Sequence, residues 1–349
     1  MNTFKQKIDK QLQNTKGEIY VIGHLSPDDD CVSSILILNY FLKTVLKVNN
    51  KINLVLEDIG GERWDYFLKN LKHSYNQEIL FNFSVGENIK DKDTLIILDA
   101  KHYKRVFKDY DFIKAKDITT ICIDHHTSQV KEEKYNLLLT YPQVKYSSNA
   151  ELLFDLLLKE SLKNLNPYIC EVILLGILYD TSNLRYANSK TINTVSKIVG
   201  QGKVDIDKLQ QKYLVNSINE LKVFAEYIKN TKFIDNTKFP PFSYSLLEKE
   251  DCGMYNEQEL IEGRTLYKNF TKQIKGAKWG FFVKPENDNF YSISFRSGSE
   301  GPNVKIISES FDFGGGHDRK AGVKLKAKSC KEVVEKVFEY LKNNEPVIL

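Results

Sequence analysis

Four short apolar runs, spaced so that a helix fits between them, constrain the fold of this chain more than any other feature. They lie at 19–22, 52–56, 93–100 and 119–126. Each is short, rich in Ile, Leu and Val, and bounded by polar residues, which is how a buried strand reads. The segments at 5–15, 32–46 and 62–71 carry helical patterns. Strands alternating with helices imply parallel βαβ units and a doubly wound, mainly parallel sheet. Ligands of such sheets gather outside the carboxyl ends of the strands. The chemistry-bearing residues stand there: His24 and Asp28 to Asp30 after the first run, Asp99 ending the third, and Asp124, His125 and His126 ending the fourth.

Three carboxylates and an imidazole crowded behind one core strand are costly, because like charges repel and buried charges need partners. A divalent cation removes that cost. An acid-rich first helical turn accounts for the same residues, so this stretch alone leaves both readings open. Further along, helices are expected over 148–162 and 167–179, the second apolar enough to be buried and delivering Asp180 at its end. His24, Asp28, Asp30, Asp99, His125 and Asp180 are then the candidate metal ligands. Carboxylates with a few imidazoles suit Mn2+ or Mg2+, with zinc ranked second. Six groups are more than one ion with open positions needs, and enough for two ions sharing a carboxylate, an arrangement that clamps a phosphoryl group. In the adjacent pair His125-His126, one imidazole is expected on metal and the other on phosphate, with Asp124 orienting a ring; one structural and one surface histidine is the alternative.

Beyond residue 204 the pattern changes. A long helix without Pro or Gly is expected over 205–230 as a connector, then a loop over 231–241 broken by Pro240-Pro241. Strands at 242–247, 279–283, 291–295 and 323–325, with helices at 255–268 and 329–341, make a smaller α/β unit. The division expected is 1–204 for the first domain, 205–235 for a helical linker and 236–349 for the second domain. Gly314-Gly315-Gly316-His317 reads as a flexible turn whose backbone N–H groups approach an anion. Arg296, ending an apolar strand, suits a bidentate phosphate contact; Arg185 and Arg105 are weaker candidates. His73 and Cys31 read as structural.

Composition narrows the class. The 349 residues are 42% hydrophobic and 28% charged with a formal net charge of +4, ordinary for a globular protein and no sign of a nucleic-acid arm. Five scattered cysteines without a CxxC pair argue for reduced thiols rather than a disulfide framework. The first residues lack a signal peptide's apolar core and no run approaches membrane-span length, so the expectation is a cytoplasmic protein with no membrane partner.

Taken as a set, His24-Leu-Ser-Pro27-Asp28-Asp29-Asp30, Asp99, Asp124-His125-His126, Asp180 and Gly314-Gly315-Gly316-His317 resemble the motifs of the DHH/DHHA1 phosphoesterase family, in order and spacing, over nearly the whole chain. The two-domain length is most similar to the members that degrade very short RNAs and dephosphorylate 3'-phosphoadenosine 5'-phosphate (pAp); similar stand-alone members hydrolyse cyclic di-AMP or pApA. The resemblance implies two Mn2+ ions, with Mg2+ or Co2+ as substitutes. His24, Asp28 and Asp99 would hold one ion, and Asp30, Asp99, His125 and Asp180 the other. Catalytic roles would fall to His126, Asp124 and His317, and substrate contacts to Arg296, Gly314, Gly315, Gly316, His317 and Arg185. The active site is expected in the cleft between the domains. The chain departs from the pattern at Ser33 and Ser182, where glycine is usual, at His102, where an acid is common, and at Lys320, where alanine is usual. A soluble pyrophosphatase, a processive single-strand DNA exonuclease and a nucleotide- or RNA-binding protein with a vestigial site rank below this reading. A homodimer is left open.

Overall fold

The structure, a computed structural model, describes residues 2–13, 15–57, 64–126, 134–140, 145–213, 215–271, 273–286, 289–312 and 314–349. The chain divides into two compact units, Met1–Val215 and Asn216–Leu349.

The first unit is built on a six-stranded sheet. Its strands are β1 (Ile19–Ile22), β2 (Ile52–Leu56), β3 (Ile79–Phe81), β4 (Thr94–Leu98), β5 (Thr119–Ile123) and β6 (Leu137–Leu139). They lie in the order β3-β2-β1-β4-β5-β6, and every pairing is parallel. Alternate residues feed two different cores: Ile19, Val21, Ile96 and Leu98 one face, Tyr20, Ile22, Leu95 and Ile97 the other. Burial on both faces is why these strands read as unbroken apolar runs rather than alternating ones. The strand order reverses direction between β1 and β4, the point at which such a sheet opens a crevice beyond its carboxyl ends.

Three helices pack on the face that Ile19, Val21, Ile96 and Leu98 present. The Asp29–Tyr40 helix is buried at every position and starts three residues earlier than its apolar pattern suggests, because Asp28 caps it by accepting the Cys31 N–H. The Pro167–Asp180 helix begins with the Asn166 cap and proline in its first turn. It crosses the Asp29–Tyr40 helix at Gly176, where a Cβ would stand 2.6 Å from Ala150 Cβ, 2.8 Å from Asp30 Oδ1 and 2.9 Å from Ser33 Cβ. Ser33 thus fits because the facing helix has glycine at the crossing. The Asn149–Leu153 helix, capped by Ser148, presents its N-terminus to the same region.

The second unit carries a mixed sheet of β7 (Lys232–Ile234), β8 (Phe242–Leu246), β9 (Trp279–Pro285), β10 (Phe290–Ser297), β11 (Gly315–His317) and β12 (Lys320–Lys326). The order is β11-β12-β10-β9-β8-β7, antiparallel except for β8 with β9. One face packs Phe281, Phe295 and Val323 beneath the Cys330–Asn343 helix; Phe282 on the other face meets Tyr227 and Tyr267 from the Ile218–Lys229 and Glu257–Phe270 helices.

Several expectations change. The single helix over 205–230 is two, Ile206–Tyr213 and Ile218–Lys229, because Ser217 and Glu220 form a capping box that starts the second afresh. The loop over 231–241 contains β7. The glycine run is not a flexible turn: residues 315–317 form β11, hydrogen-bonded to β12, and Gly316 takes φ +140 with no room for a side chain beside Ala321. The Ser189–Gln201 helix and the three-residue strands β3 and β6 were not expected. Residues 62 and 63 of the helix expected over 62–71 lie outside the described residues, while Asp65–Tyr75 is helical. Among the described residues no helix is long and apolar enough to cross a membrane.

Candidate metal centre

Each of the three consecutive aspartates after β1 has a different task. Asp28 caps its helix and faces His24, whose Nε2 is 3.8 Å from Asp28 Oδ1 and 3.6 Å from Asp99 Oδ2. Asp29 accepts the Trp64 indole N–H at 3.0 Å in the core and so serves the fold. Asp30 is fully buried and accepts two backbone N–H groups from the start of the Asn149–Leu153 helix, Asn149 at 2.6 Å and Ala150 at 2.9 Å. That helix end holds the carboxylate by hydrogen bonds and by its dipole.

Asp99 leaves β4 with φ +59, a left-handed conformation that is strained for a residue with a side chain. Its N–H still bonds Ile123 of β5, so the turn begins at the last rung of the ladder. His125 Nε2 then stands 3.2 Å from Asp180 Oδ2, 3.4 Å from Asp99 Oδ1 and 4.0 Å from Asp30 Oδ2. Three sets of donors each converge closely enough to share one ion: His24, Asp28 and Asp99; Asp30, His125 and Asp180; and Asp99, His125 and His126. Asp99 belongs to two of them.

Two atoms at the middle of the cluster, Asp99 Oδ1 and His125 Nε2, are buried without a hydrogen-bond partner. Leaving such atoms unpaired costs about 1–3 kcal/mol each; a cation between them removes the penalty. The ring nitrogens are oriented for it. His24 Nδ1–H donates to the Leu25 carbonyl at 2.9 Å, turning Nε2 toward the two carboxylates. The residues present therefore fit a divalent metal with oxygen and nitrogen ligands.

Electrostatics agrees. Burial pushes the Asp30 carboxyl well above its usual range, with Asp99 and Asp180 adding repulsion and His125 opposing it. Asp99 is raised by burial against the pull of His24 and His125. Burial disfavours a charged His24, but hydrogen bonds to Asp28 and Asp99 push it up to about 10. Burial works against a charged His125 too, yet the negative carboxylates of Asp180, Asp99 and Asp30 around it drive it well above its ordinary value. Without a cation the cluster retains protons where a cation would sit.

His126 is held differently. Its Nδ1 lies 2.7 Å from Asp124 Oδ1, and its backbone N–H donates to the same oxygen at 3.1 Å. Burial works to raise Asp124, yet these hydrogen bonds keep its carboxyl below the usual range. Asp124 is thus a carboxylate that fixes the His126 tautomer and leaves Nε2 available.

After Asp180 the chain makes a tight turn in which Ser182, Asn183 and Leu184 all have positive φ (49, 55 and 68). Thr181 ties it, its hydroxyl accepting the Leu184 N–H and its carbonyl the Tyr186 N–H. Glycine would enter this turn most easily, yet serine takes the left-handed conformation at 182. Arg185 is exposed, with its guanidinium 5.8 Å from the Tyr186 ring centre.

In the second unit, Arg296 on β10 is paired in register with Lys320 on β12, which is paired with His317 on β11. Arg296 is 8% exposed and donates to the Phe295 carbonyl. The side chain of His317 lies outside the described residues. The expectation missed Arg264 and Lys268 on the Glu257–Phe270 helix. Lys268 is pushed down to about 7 by burial and by the charges of Arg264, Arg296, Lys320 and Lys284, and Arg264 Nε is buried without a hydrogen-bond partner. Lys268 thus sits among four other cations, of which Lys284 is paired with Glu286 at 2.8 Å. Lys320 is one of those four.

Residues 18–177 match the sequence profile of the DHH family, N-terminal domain. The chain is 24% identical over 237 residues to an uncharacterized protein of Methanocaldococcus jannaschii, covering 66% of this chain and 64% of that relative, less than two thirds of its length. It is 22% identical over 331 residues to the bifunctional oligoribonuclease and PAP phosphatase NrnA of Thermus thermophilus, covering 94% of this chain and 90% of the relative. The crystal structure of an exopolyphosphatase-related protein from Bacteroides fragilis superposes with a TM-score of 0.80 at 22% identity, covering 98% and 96% of the two chains. With the strand order and carboxylate-imidazole cluster described above, this match makes residues 18–177 of the chain a DHH family domain.

Proposed function

We propose that the protein is a metal-dependent phosphoesterase that hydrolyses short RNA oligonucleotides, pAp, or both, to nucleoside 5'-monophosphates. The observation that carries this reading is the pair of orphaned buried atoms, Asp99 Oδ1 and His125 Nε2, inside a ring of carboxylates and imidazoles. The T. thermophilus relative, whose name states both activities, supports the substrate class.

In this reading His24, Asp28 and Asp99 hold one Mn2+ ion, and Asp30, Asp99, His125 and Asp180 hold a second. When bound, such a pair neutralises phosphate charge and lowers the pKa of water. The protein's own groups do the rest. Asp30, clamped by the Asn149 and Ala150 N–H groups, keeps its oxygens fixed while substrates come and go. Asp124 holds Nδ1 of His126, so that Nε2 meets a phosphate oxygen and stabilises the charge developing there. A water oxygen forms the new bond to phosphorus, and the P–O bond to the ribose oxygen breaks. In the second unit, the cations Arg264, Lys268, Lys284, Arg296 and Lys320, with the β11 residues paired to β12, suit the binding of a phosphate group.

Protein stripped of metal and then supplied with Mn2+ should be offered pAp, pApA, oligoribonucleotides of two to five residues and cyclic di-AMP. Release of AMP from pAp or the oligonucleotides, abolished by a chelator, is expected. Full activity in the chelator, or no phosphate ester cleaved, would refute the reading.

A further inference from the structure

Lys101 lies two residues beyond Asp99 and is only 4% exposed. A lysine so placed must lose the hydration of its ammonium group, which a surface position would avoid. Its Nζ donates to the backbone carbonyl of His126, and its own carbonyl accepts the Tyr135 hydroxyl at 2.9 Å. The side chain thereby bridges the segments that leave β4 and β5, past the last rung of their ladder at Asp99 N–H to Ile123.

The bridge completes an unusual set of restraints on one residue. Asp124 Oδ1 takes both the N–H and the ring Nδ1 of His126, and Lys101 takes the carbonyl. Asp124 alone fixes the ring relative to its own backbone. Turning about the His126 N–Cα bond swings the side chain and the carbonyl carbon together, so the aim of the imidazole is tied to where the carbonyl sits. A donor on the carbonyl stops that rotation.

We propose that Lys101 is a positioning residue: by gripping the His126 carbonyl it aims the His126 imidazole at the scissile phosphate. The inference rests on the reading, given above, that His126 meets phosphate. It assigns to Lys101 a hydrogen-bonding role through the main chain, not contact with substrate or metal. The six candidate ligands are untouched by Lys101, so metal binding should survive its loss. Misplacement of an active-site group by about 1 Å costs roughly 100-fold in rate.

The test compares Lys101→Met, Lys101→Gln and Lys101→Arg with wild type, with three readouts. The first is metal-free melting by circular dichroism. The second is the His126 Nδ1–H proton resonance in metal-free, histidine-labelled protein, assigned by its disappearance in His126→Asn. The third is kcat and KM for pApA with Mn2+. In Lys101→Met the resonance should broaden or vanish and kcat fall about 100-fold, with KM within about threefold of wild type. Lys101→Gln and Lys101→Arg, which keep a donor, should restore both. A folded Lys101→Met that keeps the resonance and the wild-type kcat overturns the inference. So does rescue by arginine but not by glutamine, which would make the charge, not the tie, the active ingredient. Should the methionine variant not fold, the glutamine and arginine pair decides alone. The resonance is read without metal or substrate, so an enzyme that cleaves no phosphate ester would end the proposed function without deciding whether Lys101 orders His126.

Discussion

Asp124 offers one oxygen, Oδ1, to His126 twice: to the ring Nδ1 at 2.7 Å and to the backbone N–H at 3.1 Å. Only an ionised carboxylate accepts both well, and the same contacts hold Asp124 below its usual range. Asp124→Asn can present its NH2 group and turn the imidazole to the wrong tautomer. Turnover should fall by about 10–100-fold while metal affinity stays near wild type. Steady-state kinetics alongside Mn2+ calorimetry checks this; an equal fall in both would give Asp124 to the metal instead.

Asp99 predicts opposite effects with and without metal. Its folded-state pKa is raised, so metal-free protein binds an extra proton there and loses stability as pH climbs above the ordinary carboxylate range. Asp99→Asn removes that loss, and asparagine tolerates the left-handed backbone. The metal-free variant should melt higher than wild type at pH 8 and less so at pH 5. Wild type should gain about 2.7 kcal/mol at a Mn2+ concentration 100 times its Kd, and the variant little. Melting curves at two pH values, with and without Mn2+, measure all of it.

Gly176→Ala places a methyl within 2.8 Å of Asp30 Oδ1 and 2.6 Å of Ala150 Cβ, in a helix crossing without slack. Overpacking of this kind costs about 1–3 kcal/mol. Urea denaturation should show that loss, and Mn2+ affinity should drop because Asp30 cannot hold its place. Unchanged stability would mean the helices separate more readily than the contact distances imply.

Lys268 at about 7 makes anion binding pH-dependent. A bound phosphate favours the charged lysine, so binding at pH 8 takes up a proton, and pAp affinity should weaken as pH rises from about 7 to 9. Lys268→Met should bind more weakly at pH 7 and show a flatter profile. Calorimetry in buffers of different ionisation enthalpy counts the protons; no uptake in wild type would remove Lys268 from the anion site.

Much of the first unit was legible because its strands are buried on both faces and end in the residues that carry the chemistry. Asp99 and the 124–126 triplet stand out for that reason. The edge strands β3 and β6 were not legible: three residues are too few for a period. Asp28, Asp29 and Asp30 are alike in sequence, and only the fold separates a cap, a partner for Trp64 and a buried acceptor at a helix start. The break at Ser217 hid inside a polar stretch with no proline or glycine, although Ser-x-x-Glu is the written form of a capping box. Arg264 and Lys268 looked like the charged side of an ordinary helix, and Lys101 like any lysine. Their burial and their neighbours come from contacts far away in sequence.

All six candidate ligands, from His24 to Asp180, fall within the unit that closes at Val215. In the proposed function, cutting chemistry and anion recognition are thus written in separate stretches of the sequence. On that reading, drift or recombination after residue 215 retunes which phosphorylated molecule is accepted and leaves all six candidate ligands in place.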